Sequence, residues 1–500
     1  MFKRILALCF ACILMLSAIT MMFSCADGNP DSDNPDDTPE QSDTPTDPDA
    51  PADEPEPQGT PAPAIPDTLK GGGEPLVIQL EGWANYAPLD VVDVGITERN
   101  NDSLNDAAYG RDRQIEEMLD VIIETRTFSE YVTSQAELSR LVNSGACDVD
   151  FCLMRTSGFT GAVTGNLLSD IDRPELQYFQ VDAPYWDQNS FSALSIANVH
   201  YGLTGDFSVA DDATYWCVFF NKQLVSDYQL TSPYELVQSG EWTYDTMYEL
   251  AQTVSADLDS VEGPSFDDRF GISMIRDVLA GTLNACGVTI VEKDADDLPV
   301  PSFYTDEHVN ILSELLDIFY DKDVVYNVHV QGGDEIEIFL NGNVLFTMGG
   351  VYYGPRMRSA DMGFGILPLP KYDEYSDYIS ATSPLFLSVL CLPESESNRD
   401  DLKSAFMQLY AYLGGEQVVP EYHDRLLKYK ISRDEESRDM LEYVFGNTVY
   451  DIGGMFNFAD FSFDLINMMY SYNRNISSLW ASKETQIHTA IEDLLKALDN

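Results

Sequence analysis

Ile338-Phe-Leu-Asn-Gly-Asn-Val-Leu-Phe-Thr-Met-Gly-Gly-Val-Tyr-Tyr-Gly-Pro-Arg-Met-Arg-Ser-Ala-Asp-Met-Gly-Phe-Gly-Ile-Leu-Pro-Leu-Pro-Lys371 is the stretch around which this chain is organised. Asn341-Gly342 predicts a tight turn after an apolar run, and Val344 to Met348 a short buried strand closed by Gly349-Gly350. A polar segment leads to a second compact strand, Phe364 to Leu367, stopped by Pro368 and Pro370. The paired glycines let the main chain change direction where a side chain would clash. Tyr352, Tyr353 and Arg356 stand just beyond that point. A ligand-facing crossover between two lobes has this form.

Five hundred residues suffice for two or three domains with sizeable cores. Lys and Arg number 28 against 84 Asp and Glu, a formal charge of −56 with no basic stripe to offset it, which argues against a nucleic-acid partner. The acidity reads as a solvated surface. Aromatic residues make up 11 % of the chain, so stacking on sugar rings remains open.

The N-terminus has the pattern of an export signal over residues 1–24: Lys3 and Arg4, then an apolar core from Ile5 to Phe23. Met22-Phe23-Ser24-Cys25 approximates a lipobox, which would place an acyl anchor on Cys25. An ordinary cleaved signal and a retained membrane anchor are the alternatives. Residues 25–74 are mostly Asp, Glu, Pro, Ser, Thr and Gly, a composition expected to form an acidic tether with no core of its own. Cys147, Cys152, Cys217, Cys286 and Cys391 are odd in number and irregularly spaced, so they read as buried small apolar residues rather than a disulfide framework.

The folded part is expected from Pro75. Leu76 to Leu80 predicts the first strand; Ile115, Met118, Leu119 and Ile122 follow at helical spacing. Asp148 to Met154 predicts a buried strand whose C-terminal end, Met154-Arg155, should border a ligand crevice. The run Gly158-Phe-Thr-Gly161-Ala-Val-Thr-Gly165 suggests a phosphate loop but lacks the Lys-Ser/Thr ending. Thr214 to Phe220 predicts a continuous apolar strand ending at Asn221-Lys222. Thr243 is a natural N-cap, with Trp242 stapling the helix it starts. Asp257, Asp259, Glu262, Asp267 and Asp268 suggest a calcium loop, but Val261 stands at a ligand place, so the acidic loop is the preferred reading and no metal site is assigned. Strands alternating with helices argue for α/β layers.

Several blocks resemble the family 1 extracellular solute-binding proteins of bacterial ABC importers. They are Leu104-Asn105-Asp106-Ala107 with Arg111, Ile115 and Glu116 (a clostridial-type block), Tyr185-Trp186-Asp187, Tyr215 with Phe219, Asn221 and Lys222, and Gly365-Ile-Leu-Pro-Leu-Pro-Lys371. A further block lies around Asp434. The resemblance implies an α/β two-lobe periplasmic-binding-protein-like fold of type II, closing over a solute. Residues 75–205 and 350–415 would form lobe one, and 206–349 with 416–500 lobe two. It also implies a monomer on the extracytoplasmic face of the membrane, a small solute such as a sugar, permease subunits as partners, and no cofactor. A surface glycan-binding protein without a transporter is the second reading.

Catalytic patterns are absent from the sequence: there is no Gly-x-Ser-x-Gly elbow and no His-Glu-x-x-His helix. With 84 acids a glycosidase pair is expected by chance, so hydrolysis ranks third and no catalytic residue is assigned. A pyranose offers an apolar face and a ring of hydroxyls, so its site needs aromatic platforms and planar polar groups. Asp212, Tyr215 and Trp216 at one expected crossover, Tyr352, Tyr353 and Arg356 at the other, and Trp83 and Trp186 on loops are the candidate ligand residues.

Overall fold

The computed structural model describes residues 60–81, 93–127, 134–259, 261–357, 362–395, 399–428 and 435–498. The expected signal, Cys25, the first part of the tether and Trp83 lie outside the described residues. The end of the expected tether is docked. Ile65 and Leu69 pack on the first lobe's core, and Gly71 and Gly73 donate to the carbonyls of Leu119 and Asp120 at 2.7 and 2.8 Å. Two apolar side chains in an otherwise polar segment are enough to hold it there.

Two five-stranded sheets carry the fold. The first runs Val121–Thr127, Glu74–Leu80, Phe151–Arg155, Ser388–Pro393, Leu168–Ser169. Its first three strands are parallel, and Ser388–Pro393 returns antiparallel between the third and the last. The second runs Val325–Asn327, Phe270–Met274, Val344–Gly350, Trp216–Asn221, Phe364–Pro368. Its central strands are buried along their whole length, which is why they read as unbroken apolar runs rather than alternating ones.

Helix Ser103–Leu119 starts on Asp102, whose carboxylate accepts from Leu104 and Asn105 N–H, and ends on Asp120 in the left-handed region. It buries Leu104, Ala108, Ile115 and Leu119. Arg111 on the same face is also buried: its guanidinium donates to Tyr410 Oη at 2.8 Å and to the carbonyls of Phe207 and Asp93. Asp112 and Asp93 neutralise it. Fully satisfied, this charge fixes the loop at Phe207 to two helices.

The strand Phe364–Pro368, expected in the first lobe, is hydrogen-bonded antiparallel to Trp216–Asn221 in the second sheet. Gly349-Gly350 is therefore not the passage between lobes. The return comes later, between Pro368 and Ser388. Three segments lie side by side there. Tyr215 bridges Thr382, Ser380-Ala381 pairs with Thr448-Val449, and Tyr215 Oη meets Thr448 Oγ1 at 3.0 Å. The C-terminal residues, expected wholly in lobe two, divide between the sheets. Helix Val419–Lys428 packs on Ser103–Leu119, and Glu435–Phe445 on Phe364–Pro368. The five later cysteines are free; four are buried and Cys147 is half-buried.

Candidate functional site

The C-terminal ends of four strands converge on one cleft of about 650 Å³ between the sheets. Arg155 and Thr156 come from Phe151–Arg155 of the first sheet. Arg276 and Asp277 follow Phe270–Met274, His329 follows Val325–Asn327, and Tyr352, Tyr353 and Arg356 follow Val344–Gly350. Ligand sites of α/β sheets lie at such ends, and this volume is within the range of small-molecule sites. Two contacts close the back: Thr156 Oγ1 donates to the Pro384 carbonyl, and Thr160 Oγ1 to that of Met455 at 3.2 Å.

Gly349 and Gly350 explain how the floor is built. Neither takes the left-handed backbone; both lie in the strand. A Cβ on Gly349 would sit 2.0 Å from the Tyr353 ring, and one on Gly350 2.2 Å from the Tyr352 ring. The glycines are seats for aromatic rings rather than a hinge. Tyr353, 1 % exposed, stacks on Phe219 with centroids 6.4 Å apart, and Tyr352, 4 % exposed, meets it edge-on at 4.9 Å. Burial drives the hydroxyl pKa of both upward, and the nearby Glu335 carboxylate adds to it. Both hydroxyls therefore stay protonated as hydrogen-bond donors.

Charge is balanced inside the cleft. Arg155, Arg276 and Arg356 line it together with Asp277, Glu335 and Asp460, in a chain whose acids outnumber its bases three to one. Arg356 Nη2 donates to Asp334 Oδ2 at 2.6 Å, and its Nη1 lies 4.0 Å from Glu335 Oε1. Burial raises the Asp334 pKa, but Arg356 and the N–H groups of Glu337 and Ile336 outweigh it and hold the carboxyl below its usual range. Asp277 is pushed up by burial, with Arg276 and His329 pulling the other way. Beneath Arg155 lies Glu81, accepting the Arg155 backbone N–H at 2.6 Å. Burial raises its carboxyl to about 7, against that hydrogen bond and the Arg155 charge. Gly158 lies against Ser134 and Glu81, and Gly161 against Gln135. The glycine run thus folds as helix Thr156–Thr164 packed on its neighbour rather than as a phosphate loop.

The other candidates fall elsewhere. Trp186, Asp212 and Tyr215 line a smaller cavity of about 220 Å³ beside the crossovers, with Asp206, Asp211 and His423. Trp186 Nε1 donates to Gln408 Oε1 at 3.1 Å, which makes it a packing residue of the first lobe. Trp216, 1 % exposed, lies against Gly281 and lines neither cavity. It opens a strand whose six residues are all buried, so no face of that strand is free for a ligand. Arg276, Asp277, His329, Glu335 and Phe463 escaped the sequence reading. Arg276, Asp277 and His329 stand just after a strand and Glu335 on a helix packed on one, but Phe270–Met274 was not read as a strand, and Phe463 carries no such signal.

In the acidic loop, carboxylate oxygens of Asp257, Asp259 and Asp268 come within 4.8 Å of one another. Asp268 accepts Leu258 and Ser265 N–H at 2.8 and 3.0 Å, and Asp259 accepts Val261 N–H at 2.7 Å.

No family model matches this sequence, and no curated protein matches it. Solved structures do. The galacto-N-biose/lacto-N-biose I-binding protein of an ABC transporter from Bifidobacterium longum, in complex with lacto-N-biose, is 13 % identical, with a TM-score of 0.57 over 85 % of this chain and 99 % of that one. The cyclic α-maltosyl-1,6-maltose binding protein from Arthrobacter globiformis is 12 % identical, with a TM-score of 0.56 over 84 % and 100 %. A family 1 extracellular solute-binding protein from Bifidobacterium longum subsp. infantis is 13 % identical, with a TM-score of 0.52 over 86 % and 100 %. At these identities the likeness establishes the fold: this chain has the two-lobe, periplasmic-binding-type architecture. No helix among the described residues is long and apolar enough to cross a membrane.

Proposed function

We propose that the chain is an extracytoplasmic solute-binding protein that captures a saccharide between its lobes and delivers it to an ABC permease. The cleft carries this reading. It has an aromatic floor of Tyr352 and Tyr353, a wall of Arg–carboxylate pairs, and contributions from both lobes at strand ends. Planar guanidinium and carboxylate groups match the paired hydroxyls of a sugar, and the electron-rich face of an aromatic ring matches its C–H face. Internal compensation of the arginines favours a neutral polyol over a strongly anionic solute. Asp277 is paired with Arg276 and Glu335 with Arg356, so the reading is binding without turnover.

The solved structures of like fold support this, since two are ABC binding proteins in complex with cycloalternan and lacto-N-biose and a third is a cyclic α-maltosyl-1,6-maltose binding protein. Membership of family 1, its clostridial-type branch, the acyl anchor at Cys25 and a monomeric state belong to the same proposal. A thermal-shift screen with lacto-N-biose, maltotetraose, cycloalternan and common disaccharides tests it, because a ligand selective for the folded state raises Tm. A panel that leaves Tm unchanged, or sugar that is hydrolysed during incubation, overturns it. Mass spectrometry of the exported protein's N-terminus tests the anchor. A free amino group at a residue other than Cys25 removes it.

A further inference from the structure

Helix Phe461–Ser471 starts beside the cleft, and Phe463 in its first turn lines it. Phe461, Leu465, Ile466, Met468 and Met469 are its buried side. Residues 463, 467 and 470, four and three apart, form a second face. Phe463 lines the cleft and is 37 % exposed; Tyr470, about two helical turns further, is 43 % exposed. Between them Asn467 Oδ1 accepts from the Arg276 guanidinium, which lies over the Tyr470 ring at 4.4 Å from its centroid. Arg276 also lines the cleft, and its backbone N–H donates to His329 Nδ1 at 3.2 Å. The His329 ring is in turn 5.9 Å from Tyr470. Exposed aromatics gathered beside a cavity, with planar polar groups between them, offer the ring faces and hydrogen-bonding groups that a ligand-binding groove uses.

We propose that this face is an outer saccharide subsite, so that the ligand is a linear glycan held by one end in the cleft and carried out over Phe463 to Tyr470. The inference rests on the saccharide reading of the cleft and deepens it. Seven residues of helix rise about 10 Å, room for about two further sugar rings. Arg276 covers one face of Tyr470 and fixes the ring, and the exposed remainder takes a pyranose C–H face. Asn467 and the Arg276 guanidinium then meet the hydroxyls at its edge. Phe463 stands at the junction and serves both the inner and the outer rings.

Calorimetry of the full chain against malto-oligosaccharides and β-1,4-galacto-oligosaccharides of two to seven rings tests this. In the series that binds, Kd falls over about two rings beyond the shortest bound member, by roughly 5- to 150-fold if a sugar ring stacks as a base does. Tyr470→Leu removes that gain and leaves the Kd of the shortest member as in the parent; Tyr470→Phe keeps the gain. A Kd that does not change with length overturns the outer subsite while leaving the saccharide reading intact. So does an equal loss on short and long members in a Tyr470→Leu chain of unchanged Tm. No binding at any length in either series removes both.

Discussion

The cleft and the smaller cavity beside the crossovers are built from the same materials, acids and aromatics, and differ in what answers the acids. In the cleft, three arginines from two lobes line the same space as three carboxylates, and the aromatic floor is seated on glycines. In the smaller cavity Asp187, Asp206, Asp211 and Asp212 face a single His423 and no lysine or arginine among its lining residues. Burial and the neighbouring Asp212 push Asp206 up to about 7, with His423 pulling back. Burial pulls His423 down, but Asp212, at 3.4 Å, outweighs it, and its pKa is raised. Compensated charge on rigid strand ends suits repeated binding of a polar solute. Uncompensated acids beside the interlobe segments respond to pH instead.

The comparison breaks first at the cleft floor. Tyr353→Ala should cost about 3–5 kcal/mol in urea unfolding, because a fully buried ring leaves a cavity over Phe219. A cost below 1 kcal/mol would mean that the floor is loosely packed. Next comes Glu81. Its folded pKa is raised, so its contribution to stability is fully present below about 4.5 and is lost as pH rises through about 7. Relative to the parent, Glu81→Gln should therefore gain stability between pH 5 and pH 8, by up to about 3 kcal/mol for a shift of this size. A pH-independent difference would place the carboxyl in solvent.

Gly349→Ala should destabilise by about 1–3 kcal/mol, since the new methyl meets a ring that Phe219 and Tyr352 prevent from moving. If the glycine served only as a hinge, the same change would be neutral or stabilising. Binding sharpens the contrast between the two cavities. Tyr352→Ala should weaken the saccharide found by the screen roughly 5- to 150-fold, and Trp186→Phe should leave its Kd unchanged. The reverse pattern would move the ligand to the smaller cavity. The smallest effect belongs to His423→Gln, about 0.5–1 kcal/mol for a part-exposed pair. It should be seen at pH 6 and fade as pH rises through the raised folded value, because the contribution of a raised histidine is lost there.

Much of this was legible in the residues. Unbroken apolar runs at Val344–Met348 and Thr214–Phe220, the amphipathic helix before Leu119 and the Thr243 cap are local patterns, and local patterns are written in order along the chain. Tyr352, Tyr353 and Arg356 were found because they follow a strand directly, and position after a strand is also local. Gly349-Gly350 shows the limit. A glycine pair reads equally as a bend or as space for a neighbour, and only the Tyr352 and Tyr353 rings packed above it decide between them.

Sequence alone thus determined the layered α/β class, most strand and helix cores, and three of the residues that line the cleft. Which strands share a sheet was decided by tertiary structure. Phe364–Pro368 could pair with either lobe until Trp216–Asn221 offered it an open edge, and pairing partners far apart in the chain leave no trace in either strand's own pattern. The same reason separates Trp186, Asp212 and Tyr215 from the cleft and brings Arg276, Asp277 and Phe463 into it. A cleft is made of strand ends that meet only after the sheets have formed, so its membership is a property of the fold rather than of any one stretch.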